Sequence, residues 1–279
     1  MGAARSIKPL GDEPKARSST VQSVDRALSL LEVLGEDEEG CRLMELAHRT
    51  QLSPSTAHRL LTTLQRRHFV QFDPSDGLWH VGRQSFMVGA RFVRHRNFVA
   101  TALPYLRRLR DLTRETANLG IIEDGEVVVV SQVESREIMR AITRVGGRVP
   151  MSNSGMGKAI LATFSSEEVA AAVAIRGMHH FTAKSIQRMS DLRSNLDRVR
   201  SNGYAVDDEE YQLGLRCIAA TVYNTHSEVL CAISVSGLTA RLTNERVEPI
   251  GEVVAQIAGD LTNALGGNAP TGHGARARD

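Results

Sequence analysis

Apolar positions recur at helical spacing from the first regular stretch of the chain. Val24, Ala27, Leu28, Leu31 and Leu34 share one face, which predicts a helix from Ser23 to Leu34 with Ser23 placed to cap it. The acidic run Glu36 to Glu39 and Gly40 end it as a solvated loop. Leu43, Leu46 and Ala47 predict a second, short helix. Ser53 immediately before Pro54 then signals a third, because the hydroxyl accepts an orphan N–H at the helix start and Pro has none to leave unpaired. Its buried stripe is Ala57, Leu60, Leu61 and Leu64. Two short apolar strands, Phe69 to Phe72 and Leu78 to Val81, flank the turn residues Asp73 to Gly77. Three helices followed by a hairpin is the order of a winged helix-turn-helix.

Beyond Gly82 the pattern predicts a connecting helix, Arg83 to Arg96, with Phe86, Ala90 and Val93 on one stripe that could meet a second subunit. A longer amphipathic helix runs from Asn97 to about Ala117 on Val99, Leu103, Leu106, Leu109 and Leu112. From Asn118 the period changes to two. Asp124-Gly125 between β-branched runs predicts a hairpin, and Ile138 to Val149, turning at Gly146-Gly147, reads as further strand. Helices are expected from Gly155 and from Ser190 to Asn202, with Asp207 in the turn after Gly203-Tyr204. Strands follow at Cys217 to Tyr223 and Val229 to Ser236, and a last helix at Thr243 to Leu265.

The expected fold is therefore α+β: an N-terminal winged helix-turn-helix over 21–82, a linker helix over 83–96, and a C-terminal α+β domain with a mostly antiparallel sheet over 97–266. Residues 1–20 and 267–279, rich in small, polar and basic residues, are expected to be a flexible arm and a disordered tail. In the arm, Lys8, Lys15 and Arg17 are cations that could touch phosphate.

Charge does not add to this picture as a total. With 34 Lys and Arg against 32 Asp and Glu the net charge is +2, so affinity for nucleic acid must come from local clustering. Clustering is present: no acid occurs between Ser53 and His68, while Arg59, Arg66 and Arg67 do. Ser53, Ser55, Thr56, His58, Arg59 and Thr62 place short hydrogen-bonding side chains and a guanidinium on the exposed face of the third helix, where a recognition helix meets base edges. Arg66, Arg67 and the hairpin tip at Ser75 to Gly77 are the expected phosphate contacts to a double-stranded operator. The three cysteines, Cys41, Cys217 and Cys231, form no CxxC pair, so neither a disulfide framework nor a thiolate metal site is indicated. No apolar run has the length of a membrane helix or the form of a signal peptide, which leads to a cytoplasmic expectation with no cofactor.

The stretches SVDRALSLLE at Ser23, LSPSTAHRLLTTL at Leu52, VPMSNSGMGKAILA at Val149 and GYAVDDEEYQLGLRCIAATVY leading to LCAISVSGLTARLT resemble the IclR family of bacterial transcription regulators. The resemblance spans Thr20 to Gly266, and Gly214 to Ala220 (GLRCIAA) is its most specific piece. LWHVG followed by FMVGA, with the acid cluster before GLRC, is nearest the glyoxylate-responsive, allantoin-utilisation branch, from which Met156 departs where Ala is usual. The resemblance implies a GAF-like effector-binding domain, homodimers or dimers of dimers, and usually repression. It also implies a small-ligand site at Gly155, Met156, Asp207, Cys217, Ser234 and Ser236.

Those residues make chemical sense of a small carboxylic acid, whether glyoxylate-like, a semialdehyde or a hydroxy acid. Amides of Gly155 and Met156 at a helix start suit a carboxylate. Ser234 and Ser236, two apart in a strand, share one face. Asp207 would accept from a hydroxyl at the far end of the ligand. A Walker phosphate loop is excluded, because Ser152 stands where that pattern requires Gly. The other readings are an activator answering to a larger or aromatic acid, and an enzyme pairing Cys217 with His179, His180 or His226, which the spacing does not support.

Overall fold

The computed structural model describes residues 21–37, 39–95, 98–138 and 144–270, with only the backbone described over 90–95. The flexible-arm and tail expectations fall outside these, apart from residues 267–270. The chain divides into two compact units, one ending at Phe92 and the other starting at Val93.

In the first unit, α1 (Gln22–Glu36), α2 (Leu43–Arg49) and α3 (Pro54–Arg66) precede the hairpin β1 (Val70–Asp73) and β2 (Leu78–Val81). Leu30, Leu34, Leu46, Ala47, Ala57, Leu61, Val70 and Trp79 make one apolar cluster, as the helical periodicity predicts. Cys41 is buried in it and bridges to Trp79, its N–H donating to the Trp79 carbonyl at 3.0 Å. The cap on α1 is corrected: Val21 stands at its N-cap and no side chain caps it, so Ser23 lies inside the helix. Ser53 does cap α3, accepting from the Thr56 N–H at 3.2 Å, with Pro54 at the first helical position. β1 and β2 pair antiparallel from Val70 opposite Val81 to Asp73 opposite Leu78. The connecting helix α4 (Arg83–His95) starts against this hairpin, where the Ser85 hydroxyl donates to the Phe69 carbonyl at 2.8 Å. Phe86, Met87 and Val88 on it are exposed, while the side chains of Ala90 and Val93 lie outside the described residues.

The second unit is a six-stranded antiparallel sheet in the order β5-β4-β3-β8-β7-β6. Its strands are β3 (Thr116–Glu123), β4 (Glu126–Val133), β5 (Arg148–Pro150), β6 (Ala205–Asp208), β7 (Leu215–Tyr223) and β8 (Val229–Leu238). α5 (Phe98–Thr113) and α9 (Asn244–Ala264) cover one face, burying Leu106, Leu109, Val254 and Leu261 against Leu119, Ile218, Ile233 and Val235. The other face carries α6 (Gly155–Leu161), α7 (Ser166–Arg176) and α8 (Met189–Asn202), through Ile160, Val173 and Leu192 against Val127, Val129, Ala205, Ala219 and Ala232. Burying each such Leu or Ile contributes about 1.5–3 kcal/mol. Asp124 and Gly125 take positive φ of 50° and 76°, which makes the β3–β4 turn of the primed type that Asp-Gly predicts.

Four expectations are corrected. The helix predicted to run to Ala117 stops at Thr113, because Thr116 and Ala117 already pair with Ser236 and Val235. The strand expected over Ile138 to Val149 is confined to Arg148–Pro150: Ile138 is an exposed bend, residues 145–146 form a turn at Gly146 with φ +87°, and 139–143 lie outside the described residues. Asp207 is in an edge strand, not a turn, and Cys217 is the third residue of β7 rather than its first. α7 was not foreseen, although Ser165 and Glu168 form a full capping box at its start. Among the described residues no helix is long and apolar enough to cross a membrane.

Candidate functional site

On α3, Ser53, Ser55, His58, Arg59, Arg66 and Arg67 are exposed, and Thr56 and Thr62 are half-buried. The first turn of the helix holds no acid. Local bonds orient this face: Ser53 Oγ lies 2.8 Å from Thr56 Oγ1 and 3.1 Å from Ser55 Oγ, and the Thr62 hydroxyl donates to the His58 carbonyl at 2.8 Å. His58 stands edge-on to Trp79, with ring centroids 6.5 Å apart, which ties the recognition face to the hairpin. The hairpin tip differs in charge from α3. Asp73 accepts from the Ser75 N–H and hydroxyl at 2.8 and 2.6 Å, bonds that hold its carboxyl below the usual range, and Asp76 accepts from the Leu78 N–H at 2.8 Å. Two carboxylates at the tip oppose phosphate, so the cationic surface belongs to α3 and the arginines after it.

The second candidate site forms on the sheet face beneath α6. Antiparallel register places Asp207 opposite Cys217, Cys217 opposite Ser236 and Ser236 opposite Thr116. One pair further along, Ser234 stands opposite Asn118, and Asn118 opposite Gln132. Directly opposite residues point to one face, so the register makes a polar stripe from β6 to β4 on an otherwise apolar sheet. α6 lies on this stripe closely enough that a Cβ on Gly155 would stand 2.9 Å from Cys217 Sγ and 3.1 Å from its carbonyl oxygen. Glycine is needed there for approach, not for a special φ.

Around Cys217 the groups converge. Burial, reinforced by the charge of Asp207, pushes its thiol up to about 11 against the opposing influence of Ser236, Ser234 and the Gly155 N–H. It is a thiol at neutral pH, not a thiolate nucleophile. Of its imagined histidine partners, His179, His180 and His226 are all exposed, and the enzyme reading fails. Asp207 is raised to about 7, first by burial and then by the charge of Glu210; the opposing contributions come from Lys158 and the N–H groups of Glu210 and Tyr211. The bond from Glu210 N–H to Asp207 Oδ1 is 2.8 Å.

Sequence reasoning missed four residues here. Asn118, buried, donates its amide to Ser234 Oγ at 3.4 Å and Ser236 Oγ at 3.2 Å, and accepts from the Gln132 amide at 2.8 Å. Their signal was in the sequence: Asn and Gln interrupt two β-branched strands. Lys158, fully buried on α6, donates to the Val206 carbonyl at 2.6 Å and to Glu210 Oε1 at 2.5 Å. Burial raises Glu210 from the ordinary carboxyl range, and its Oε2 has no partner among the described atoms.

The structure brings Gly155, Asp207, Cys217, Ser234 and Ser236 together on one face of the sheet, and all except half-buried Cys217 are buried. The expectation of accessible amides at Gly155 and Met156 is corrected. Ser154 caps the helix, the Gly155 N–H faces Cys217, and the Met156 side chain packs into the apolar cluster beside Gly120. Neither of two open depressions coincides with the cluster. One of about 120 Å³ is lined by Ser152, His179, Phe181 and Tyr211, and a groove of about 1010 Å³ by Tyr204, Thr221, Glu248 and Glu252.

A winged helix-turn-helix with a cationic recognition face, in one chain with a separate α+β unit, defines a DNA-binding regulator. Residues 23–74 match the IclR helix-turn-helix domain, and residues 90–263 match the domain described as bacterial transcriptional regulator IclR C-terminal. The second match alone covers more than half of the chain, which therefore belongs to the IclR family of bacterial transcriptional regulators. It is a regulator that binds DNA through the helix-turn-helix, and not an enzyme. The chain is 40% identical over 249 residues to the transcriptional repressor IclR of Escherichia coli (strain K12), covering 88% of this chain and 91% of that protein. It is 35% identical over 259 residues to the HTH-type transcriptional repressor AllR of the same organism, covering 93% and 95%. Among solved structures, an IclR transcriptional regulator from Alicyclobacillus acidocaldarius superposes with a TM-score of 0.75 at 26% identity, over 89% of this chain and all of that one.

Proposed function

We propose that this regulator is a repressor whose hold on a pseudo-palindromic operator is controlled by a small oxo or hydroxy acid at the Gly155, Asp207, Cys217, Ser234 and Ser236 cluster. The observation that carries the reading is the register of the stripe, which sets Cys217 between Asp207 and Ser236, with Ser234 on the same face and α6 so close that a Cβ on Gly155 would stand 2.9 Å from the Cys217 sulfur. A thiol is a weak acceptor for hydroxyl and amide donors; a carboxylate oxygen is a strong one. Asp207, whose carboxyl near pH 7 is part-protonated, then adds less repulsion than an ordinary aspartate would. Repression accords with two relatives that carry that name. In this reading Ser55, Thr56 and Arg59 touch bases, with His58 and Thr62 next, while Ser53 holds the helix start and Arg66 and Arg67 touch phosphates. The exposed Val24 and Leu28 of α1 and Phe86 and Met87 of α4 suit pairing of two chains on two half-sites.

The test is a thermal-shift titration of the full chain against glyoxylate, pyruvate, succinate semialdehyde, 4-hydroxybutyrate and acetate, with operator binding followed by fluorescence anisotropy. One acid should raise the melting temperature and change operator affinity. The double variant Ser234→Ala/Ser236→Ala should abolish both responses while binding operator normally without ligand. An unchanged response in that variant removes the cluster from the reading.

A further inference from the structure

Asn118 is placed to decide what kind of group the cluster accepts. It occupies the middle of the stripe, opposite Ser234 on one side and Gln132 on the other. Its amide nitrogen has two hydrogens and no lone pair to offer, and both hydrogens are directed at serine oxygens, Ser234 Oγ at 3.4 Å and Ser236 Oγ at 3.2 Å. Its carbonyl oxygen is engaged by the Gln132 amide at 2.8 Å, which fixes the amide the way round that aims its nitrogen at the serines. A hydroxyl that accepts from an N–H keeps one hydrogen of its own, and that hydrogen cannot return to the donor. Ser234 and Ser236 are therefore each left with a hydrogen to donate elsewhere on the face they share with Cys217, which stands opposite Ser236 and directly under Gly155.

We infer that Asn118, held by Gln132, is a positioning residue that sets Ser234 and Ser236 as donors, so that the cluster selects an acceptor, a carboxylate or carbonyl oxygen, over a donor group such as an amide nitrogen. This rests on the effector-site reading above and adds the source of its selectivity. Reversing the amide would present a carbonyl oxygen to the serines. Their hydroxyls would then be spent on Asn118, and the cluster would offer lone pairs instead of hydrogens. Asn118→Asp makes that reversal permanent, because a carboxylate can only accept. Gln132→Leu removes the lock without changing Asn118 itself, at a half-buried position.

The experiment is calorimetric titration of the full chain with glyoxylate, pyruvate, glycolate and lactate, each beside a neutral partner, glycolamide and lactamide among them. The unaltered protein should bind at least one acid about tenfold or more tighter than its amide, the size expected when one charge-assisted hydrogen bond is at stake. Asn118→Asp should lose that acid by at least as much and narrow or invert the preference; Gln132→Leu should move the same way by less. A purely structural Asn118 would weaken acid and amide together, and an unchanged acid-to-amide ratio in both variants overturns the inference. Where Asn118→Asp does not fold, Gln132→Leu decides. If Ser234→Ala/Ser236→Ala retains acid binding, or no acid binds the unaltered protein at millimolar concentration, the effector-site reading itself falls and takes this inference with it.

Discussion

Lys158→Met removes the ion pair under α6 together with the bond from Lys158 to the Val206 carbonyl, and only the first of these losses depends on pH. Lys158 is fully buried and Glu210 nearly so, and one bond of 2.5 Å joins them. Methionine keeps most of the volume, so the variant leaves Glu210 buried with its attraction gone. Removing one partner of a buried pair costs about 3–5 kcal/mol, but here a second route bounds the loss. Glu210 can take up a proton, and doing so at pH 7 from an ordinary carboxyl near pKa 4.3 costs about 3–4 kcal/mol, falling to about 1 kcal/mol at pH 5. The sign follows from linkage. In the variant the folded-state pKa of Glu210 lies above the unfolded value, so the folded chain is the better proton binder and its stability declines as pH rises from about 4. The assay exploits the single tryptophan of the chain, Trp79, buried in the first unit. Urea unfolding followed by circular dichroism should show a destabilised transition at pH 7 that recovers most of its deficit at pH 5. The Trp79 fluorescence transition should stay in place. Adding Glu210→Leu should restore stability at pH 7. A deficit equal at both pH values, or none at pH 7, would show that the pair is not buried as described.

Arg59→Ala should abolish operator binding in anisotropy with an unchanged circular dichroism spectrum, and intact affinity would remove Arg59 from the base contacts. Ser53→Ala deletes the cap on α3 and should destabilise the first unit by about 1 kcal/mol, read as an earlier Trp79 transition. Gly155→Ala drives a methyl against Cys217 backbone and sulfur. Overpacking of that kind costs about 1–3 kcal/mol, so the second unit should melt earlier and any acid response be lost. Asp207, raised to about 7, keeps its proton in the folded chain where the unfolded chain has released it. The stability it confers is complete below about pH 4 and is lost as pH rises through 7. The circular dichroism urea midpoint should therefore fall between pH 5 and pH 8, and Asp207→Asn should flatten the fall.

What could be read from the sequence was local. Ser53-Pro54 announces its helix because the cap and the missing N–H concern neighbours in the chain, and Asp124-Gly125 announces its hairpin because two positive φ angles require such residues. The shared face of Ser234 and Ser236 needs only the period of a strand. The partners of those serines could not be found in the same way. Asn118 meets Ser234 across 116 positions, and Lys158 meets Glu210 across 52, through a strand order that periodicity does not encode. Asp207 was misplaced for a related reason: a four-residue edge strand acquires its character from pairing with β7, not from its own composition. The missed α7 had its capping box in plain view, but an apolar surface of mostly alanines gives little amphipathic contrast.

Burial of the polar stripe has a consequence for how fast anything reaches it. Ser234 and Asp207 lie under α6 with almost no contact with solvent, and neither of the two depressions described above is lined by them. On the reading proposed above, an acid reaches the buried Ser234 and Asp207 when α6 or the loop before it parts from β7. Its association rate is then the diffusional rate multiplied by the fraction of time spent open. Once α6 closes again, escape is subject to the same gate. On that reading the response is slow and long-held, so the lifetime of the liganded state, more than the strength of any single contact, sets how long the operator stays in its altered state.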